Sequence, residues 1–147
     1  MKTSERQTEI NRHNSKKRLA CLISANFSAE DYCITFVCGG NNQEKQAIKN
    51  ISNTFRRIKR LYARAGKTPR YIWIMKYDKI CGVYFRILIT KEIEAIELKT
   101  AFKNGNITIE HFGNNIHGFV LLEFNDKPIT YRRWSCSKNL KPLLPTE

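Results

Sequence analysis

Three observations predict an α+β fold for this chain. Stretches in which β-branched and aromatic residues alternate at period two fall at 31–38, 71–77, 82–90 and 106–111. Stretches with apolar residues at three- and four-residue steps fall after the first of these and after the third. Gly, Pro and Asn-Gly sites punctuate the boundaries. The resulting order is strand, helix, strand, strand, helix, strand, which folds into one antiparallel sheet with both helices on one face.

Each element has its own warrant. Residues 2 to 18 mix Lys, Arg, Asn, Glu and Ser with little apolar periodicity, so a flexible basic arm is expected over 1–18 and folded structure from about Leu19. Asp31-Tyr-Cys-Ile-Thr-Phe-Val-Cys38 reads as a strand that stops at Gly39-Gly40. Asn41 can cap the following helix with Glu44 three positions on, and Ile48, Ile51, Phe55, Ile58 and Leu61 form its stripe until Gly66 and Pro69 end it. About 24 residues at 1.5 Å each give a rod of roughly 36 Å. Tyr71 to Tyr77 and Gly82 to Thr90 read as a hairpin. Lys91 to Lys103 carries Ile93, Ile96 and Phe102 and reads as a shorter helix ended by Asn104-Gly105; a strand over 106–111 follows. Ile116 to Phe124 reads as a further extended segment. The whole is a ferredoxin-like or RRM-like βαββαβ core over 19–126, with a basic C-terminal segment, 127–147, packing on it.

Composition narrows the function. A chain of 147 residues suits a single domain, and 41% apolar with 11% aromatic residues excludes a wholly disordered protein. No apolar run approaches the ~18 residues needed to span a bilayer, so no membrane partner is expected. Lysine and arginine number 26 against 13 acids, a formal charge of +13, which favours polyanionic partners. The five cysteines form no C-x-x-C pair, and the start lacks an apolar secretory segment, so a reducing cytoplasm is expected. The three histidines, His13, His111 and His117, show no metal-ligand spacing. No cofactor and no metal are expected.

The hairpin Arg70-Tyr-Ile-Trp-Ile-Met-Lys-Tyr77 and Cys81-Gly-Val-Tyr-Phe-Arg-Ile-Leu-Ile-Thr90 resembles the metal-binding hairpin of the HUH replication initiators, the rolling-circle Rep proteins of phages and plasmids. Asn26-Phe-Ser-Ala-Glu-Asp31, the helix end Arg60-Leu-Tyr-Ala-Arg-Ala-Gly66 and Arg133-Trp-Ser-Cys-Ser-Lys-Asn-Leu-Lys-Pro142 extend that resemblance over roughly residues 19 to 142; the last is its most specific part. In that family a carboxylate on the first strand and His-x-His on the second hold a divalent ion, and a tyrosine on a helix beyond the sheet forms a covalent link to DNA. Here those ligand places hold Lys76, Tyr84 and Arg86, and the tyrosine-bearing region would fall at Gly118-Phe-Val-Leu-Leu-Glu-Phe124, which has no tyrosine. The resemblance therefore implies a pseudoenzyme with no catalytic residue.

Candidate nucleic-acid contacts follow. Lys76 and Arg86 could take a phosphate directly and Tyr84 could stack on a base. On the long helix Arg56, Arg57, Lys59, Arg60, Arg64 and Lys67 lie largely away from the apolar stripe, and Glu44 is the only acid between Asn41 and Pro69. Arg132 and Arg133 beside Trp134 add charge and an aromatic ring. The leading expectation is a catalytically inactive Rep-like protein of a phage or mobile element that binds single-stranded or hairpin DNA, or RNA. The alternatives are an inhibitor, in the manner of anti-CRISPR proteins, that binds a host defence nuclease or its nucleic-acid channel, and an active single-strand nickase.

Overall fold

A computed structural model describes residues 18, 20–38, 44–78, 82–103, 105–113 and 133–140, with Glu44, Tyr77, Asp78, Arg133 and Trp134 described by their backbones alone. A short helix, α1, covers 20–26. The other elements are β1 (Tyr32–Cys38), α2 (Glu44–Arg64), β2 (Tyr71–Asp78), β3 (Gly82–Ile89), α3 (Ala95–Lys99), β4 (Gly105–His111) and β5 (Arg133–Cys136). Five strands form one sheet in the order β4-β1-β3-β2-β5, every pair antiparallel. Thus β1 and β2 flank β3, and β3 and β4 flank β1, the split arrangement of a ferredoxin-like α+β core. The cap at Asn41, the arm before residue 18 and the segment Ile116 to Phe124 lie outside the described residues.

Period two sorts the sheet's side chains onto two faces. One carries Tyr32, Ile34, Phe36, Cys38, Tyr71, Met75, Phe85, Ile87 and Ile89, and against it α2 lays Ala47, Ile51, Phe55, Ile58 and Tyr62. Leu98 of α3 and the following Ala101 and Phe102 join the same cluster, so α2 and α3 share one face. Each fully buried Ile or Phe there contributes about 1.5–3 kcal/mol by leaving water. Tyr62, fully buried, finds a partner for its hydroxyl by donating to the Thr90 carbonyl at 2.6 Å. At Gly105 the start of β4 lies too close to β1 for a side chain: a Cβ there would collide with the Val37 carbonyl oxygen and lie 2.7 Å from the Phe36 ring.

The opposite face is not bare. Ile23 and Phe27, at the inner side of α1 and just after it, pack on Cys33, Ile72, Ile74 and Leu88 with Phe112. Helix α1 was not expected from the sequence, which placed only the start of order near Leu19. Its apolar pair Leu22-Ile23 with Phe27 gives one turn of helical spacing, and Asn26 closes it by donating to the Leu22 carbonyl at 2.9 Å.

The helix expected over Lys91 to Lys103 is a correction: only Ala95–Lys99 is α-helical. Its first turn is taken by tertiary hydrogen bonds, since the Lys91 N–H donates to Asp31 Oδ1 at 2.9 Å and the Ile93 carbonyl accepts from the Tyr32 hydroxyl at 2.7 Å. At the other end the N–H groups of Thr100, Ala101 and Phe102 bond three residues back, to the carbonyls of Glu97, Leu98 and Lys99. That tightening turns Phe102 inward, edge-on to Phe36 at 5.1 Å.

Cys21, Cys33, Cys38 and Cys136 form no disulfide. Burial pushes the Cys38 thiol up from an ordinary 9.0 to about 11, against a smaller lowering by Asn50. Burial likewise raises the Tyr62 hydroxyl. An acid held protonated by folding makes the unfolded state lose its proton first, so the Cys38 contribution to stability is constant below pH 9.0 and falls as pH rises towards about 11. Thermal melts between pH 8 and 11 are expected to show that fall, with a shallower slope in Cys38→Ala.

Candidate nucleic-acid interface

The solvent side of α2 is strongly basic. With Ala47, Ile51, Thr54, Phe55, Ile58 and Tyr62 buried against the sheet, the 3.6-residue period leaves Lys45, Lys49, Arg56, Lys59, Arg60 and Arg64 exposed, and exposed Lys67 follows the last turn. The helix carries a single acid, Glu44, at its first position. Over 21 residues the cations extend for about 30 Å. Of the six helix-region residues expected to contact nucleic acid, five (Arg56, Lys59, Arg60, Arg64 and Lys67) are exposed on this surface.

Arg57 is held differently. Half-buried at the edge of the apolar stripe, it donates from Nε to the Ala101 carbonyl at 2.7 Å and from Nη2 to Thr54 Oγ1 at 3.4 Å, tying α2 to the turn after α3. Arg57→Ala is expected to lower stability by about 1.5–3 kcal/mol, the worth of a hydrogen bond from a charged group, with little change in nucleic-acid affinity. Urea unfolding alongside a binding titration separates the two effects. Arg57, Arg60 and Arg64 also border a cavity of about 250 Å³ with Leu61, Thr100 and Ala101.

On the hairpin, Lys76 stands directly opposite Tyr84, and Arg86 stands opposite Ile74 on β2 and Thr35 on β1. The three therefore share one face of the sheet. That face is the one α1 covers, so they are separated by the sheet from the cations of α2. Lys76 is only 2% exposed, while Tyr84 and Arg86 are half-buried. Arg86 Nη2 donates to Cys33 Sγ at 3.2 Å, at the border of the α1 cluster. A side chain as enclosed as Lys76 offers no surface to an incoming strand, which leaves the exposed cations of α2 as the accessible candidates.

The same three residues do not fit a divalent ion: protonated Lys and Arg have no lone pair to give, and a hard cation would be repelled. Among the described residues no group of three His, Cys, Asp or Glu could hold a metal. Exposed His111 stacks on Tyr32 at 6.0 Å with Nδ1 2.9 Å from the Glu30 carbonyl oxygen.

At the C-terminal end, β5 pairs with β2, placing Arg133 opposite Met75 and Trp134 opposite Ile74; Arg132 lies outside the described residues. No strand was expected over these residues, yet this pairing brings Ser135, Ser137, Lys138 and Asn139 to the end of α2, around a cavity of about 620 Å³. Their only signal was the specificity of the Trp-Ser-Cys-Ser-Lys-Asn motif itself.

Compared with family models, curated proteins and solved structures, the chain matches none. Among the described residues no helix is long and apolar enough to cross a membrane.

Proposed function

We propose that this protein binds single-stranded or hairpin DNA, or RNA, through the phosphate backbone and does not cleave what it binds. One observation carries the reading: the exposed side of α2 and its C-terminal end present Lys45, Lys49, Arg56, Lys59, Arg60, Arg64 and Lys67 in a single line with one acid at the far end. A helix that needed only solubility gains more from alternating signs, because i,i+4 pairs of opposite charge stabilise it and like charges do the reverse. Arg64 alone has a local benefit, standing at the negative end of the helix dipole. The mutual repulsion of the others is relieved by a polyanion. The Lys76, Tyr84 and Arg86 set supports the reading of binding without cleavage, because protonated Lys and Arg give no lone pair to an ion that would polarise a scissile phosphate. The resemblance to Rep proteins would place this role in a phage or mobile element, in the cytoplasm of a bacterial host.

Gel-shift titrations with single-stranded DNA, hairpin DNA and RNA at low salt test the reading. Retardation of at least one is expected, and no covalent protein–DNA adduct when Mn²⁺ is added. Failure to retard any of them overturns the proposal, and an adduct overturns the claim that nothing is cut.

A further inference from the structure

The cavity at the end of α2 has the size, charge and fixed walls of a ligand site. At about 620 Å³ it falls within the roughly 300–1,000 Å³ typical of small-molecule sites. One wall is the last turn of α2 and its exit, with Lys59 and Lys67; the other is the 135–139 segment, with Ser135, Ser137 and Lys138, and Tyr71 lines it between them. No acid lines it.

The walls are held in place by backbone. The Ser137 N–H donates to the Tyr71 carbonyl at 2.9 Å, the Tyr71 N–H donates to Ser137 Oγ at 3.0 Å, and Asn139 Nδ2 donates to the Pro69 carbonyl at 3.2 Å. Because Ser137 Oγ accepts from Tyr71, its own hydroxyl proton remains to be donated to a ligand, although Ser137 is only 9% exposed. Tyr71 is braced by Phe55, stacked at 4.2 Å, and Lys59 Nζ stands 5.9 Å from the Tyr71 ring centroid. Three ammonium groups against one helix C-terminus, worth about half a negative charge, leave the cavity net positive.

We propose that this cavity is a nucleoside-phosphate subsite. Lys59, Lys67 and Lys138 neutralise the phosphate, the Ser137 hydroxyl donates to one of its oxygens, and the nucleoside meets only the edge of Tyr71 that borders the cavity, since that residue is 9% exposed. The inference deepens the reading of α2 as a strand-binding face and rests on it for the biological ligand: a strand following the cations arrives here at the helix end. The phosphate would be an internal diester of that strand or a monoester, at a strand end or on a free mononucleotide.

The test is an amide-resolved NMR titration of the full chain with dAMP, with inorganic phosphate and with deoxyadenosine. Saturable shifts at Pro69-flanking residues and at 135–139 are expected with dAMP, weaker ones with phosphate and none with deoxyadenosine. The exposed double reversal K67E/K138E should keep a folded spectrum and weaken dAMP binding about tenfold or more. Absence of saturable shifts at these residues, or shifts indifferent to K67E/K138E, overturns the proposal. Paired oligonucleotides with 5′-phosphate and 5′-hydroxyl ends then assign the source. A preference for the phosphorylated end that K67E/K138E removes marks a monoester site, and equal weakening of both marks an internal nucleotide. Oligonucleotides that bind the parent and K67E/K138E alike, with dAMP inert, would sink the subsite and leave the α2 reading standing. Binding of dAMP with no oligonucleotide bound would do the opposite.

Discussion

Reversing Arg56, Arg60 and Arg64 together to Glu is expected to weaken binding to a single-stranded oligonucleotide by about a hundredfold or more at 0.1 M salt. Each phosphate contact on a single strand contributes about 0.7 to the salt slope, so at 0.1 M three lost contacts remove roughly two decades, and the new carboxylates add repulsion. All three side chains are exposed, so the fold should persist. Arg64→Glu, in the last turn, costs about 0.3–1 kcal/mol by opposing the helix dipole. Fluorescence anisotropy for binding, with thermal melts as the control, checks both parts. A variant that melts like the parent and binds as tightly would remove α2 from the interface.

The largest stability effect is expected from Phe85→Ala. Phe85 is 0% exposed at the centre of β3, flanked by Phe36 at 6.4 Å and met edge-on by Trp73 at 5.3 Å. Removing its ring loses the transfer free energy and leaves a cavity that the strands on both sides prevent from closing. The cost is about 3–5 kcal/mol, a large share of the roughly 5–15 kcal/mol that holds a domain together. A urea titration should show the midpoint falling sharply with the slope unchanged, whereas Ile96→Ala, at a side chain 77% exposed, should move it little.

Periodicity made most of the fold readable. Strands β1, β2, β3 and β4 and helix α2 fall within a few residues of where alternation and the Ile51-Phe55-Ile58 stripe place them, because each buries one face and its pattern records which. What was not readable is tertiary. The Lys91 N–H looks like the first turn of a helix until Asp31, sixty residues away, claims it. Strand β5 is four residues long, too short for alternation to register, and exists because β2 offers an edge. The parity of Trp73 and Lys76 already separates their faces, but sequence alone leaves open which face α2 covers. That choice divides the expected contacts into two groups, with Lys76, Tyr84 and Arg86 on the α1 side and the helix cations on the other. The enclosure of Lys76 has no sequence signature at all.

If the cations of α2 hold phosphate, binding must weaken with salt in proportion to the number of contacts they make. For a single-stranded oligonucleotide, four or five contacts predict a log–log slope of roughly −3 to −4. The neutral variant R56Q/R60Q/R64Q should bring it to roughly −0.7 to −1.4 by leaving one or two of those contacts. A slope that stays the same in that variant would mean that phosphate is held elsewhere on the molecule.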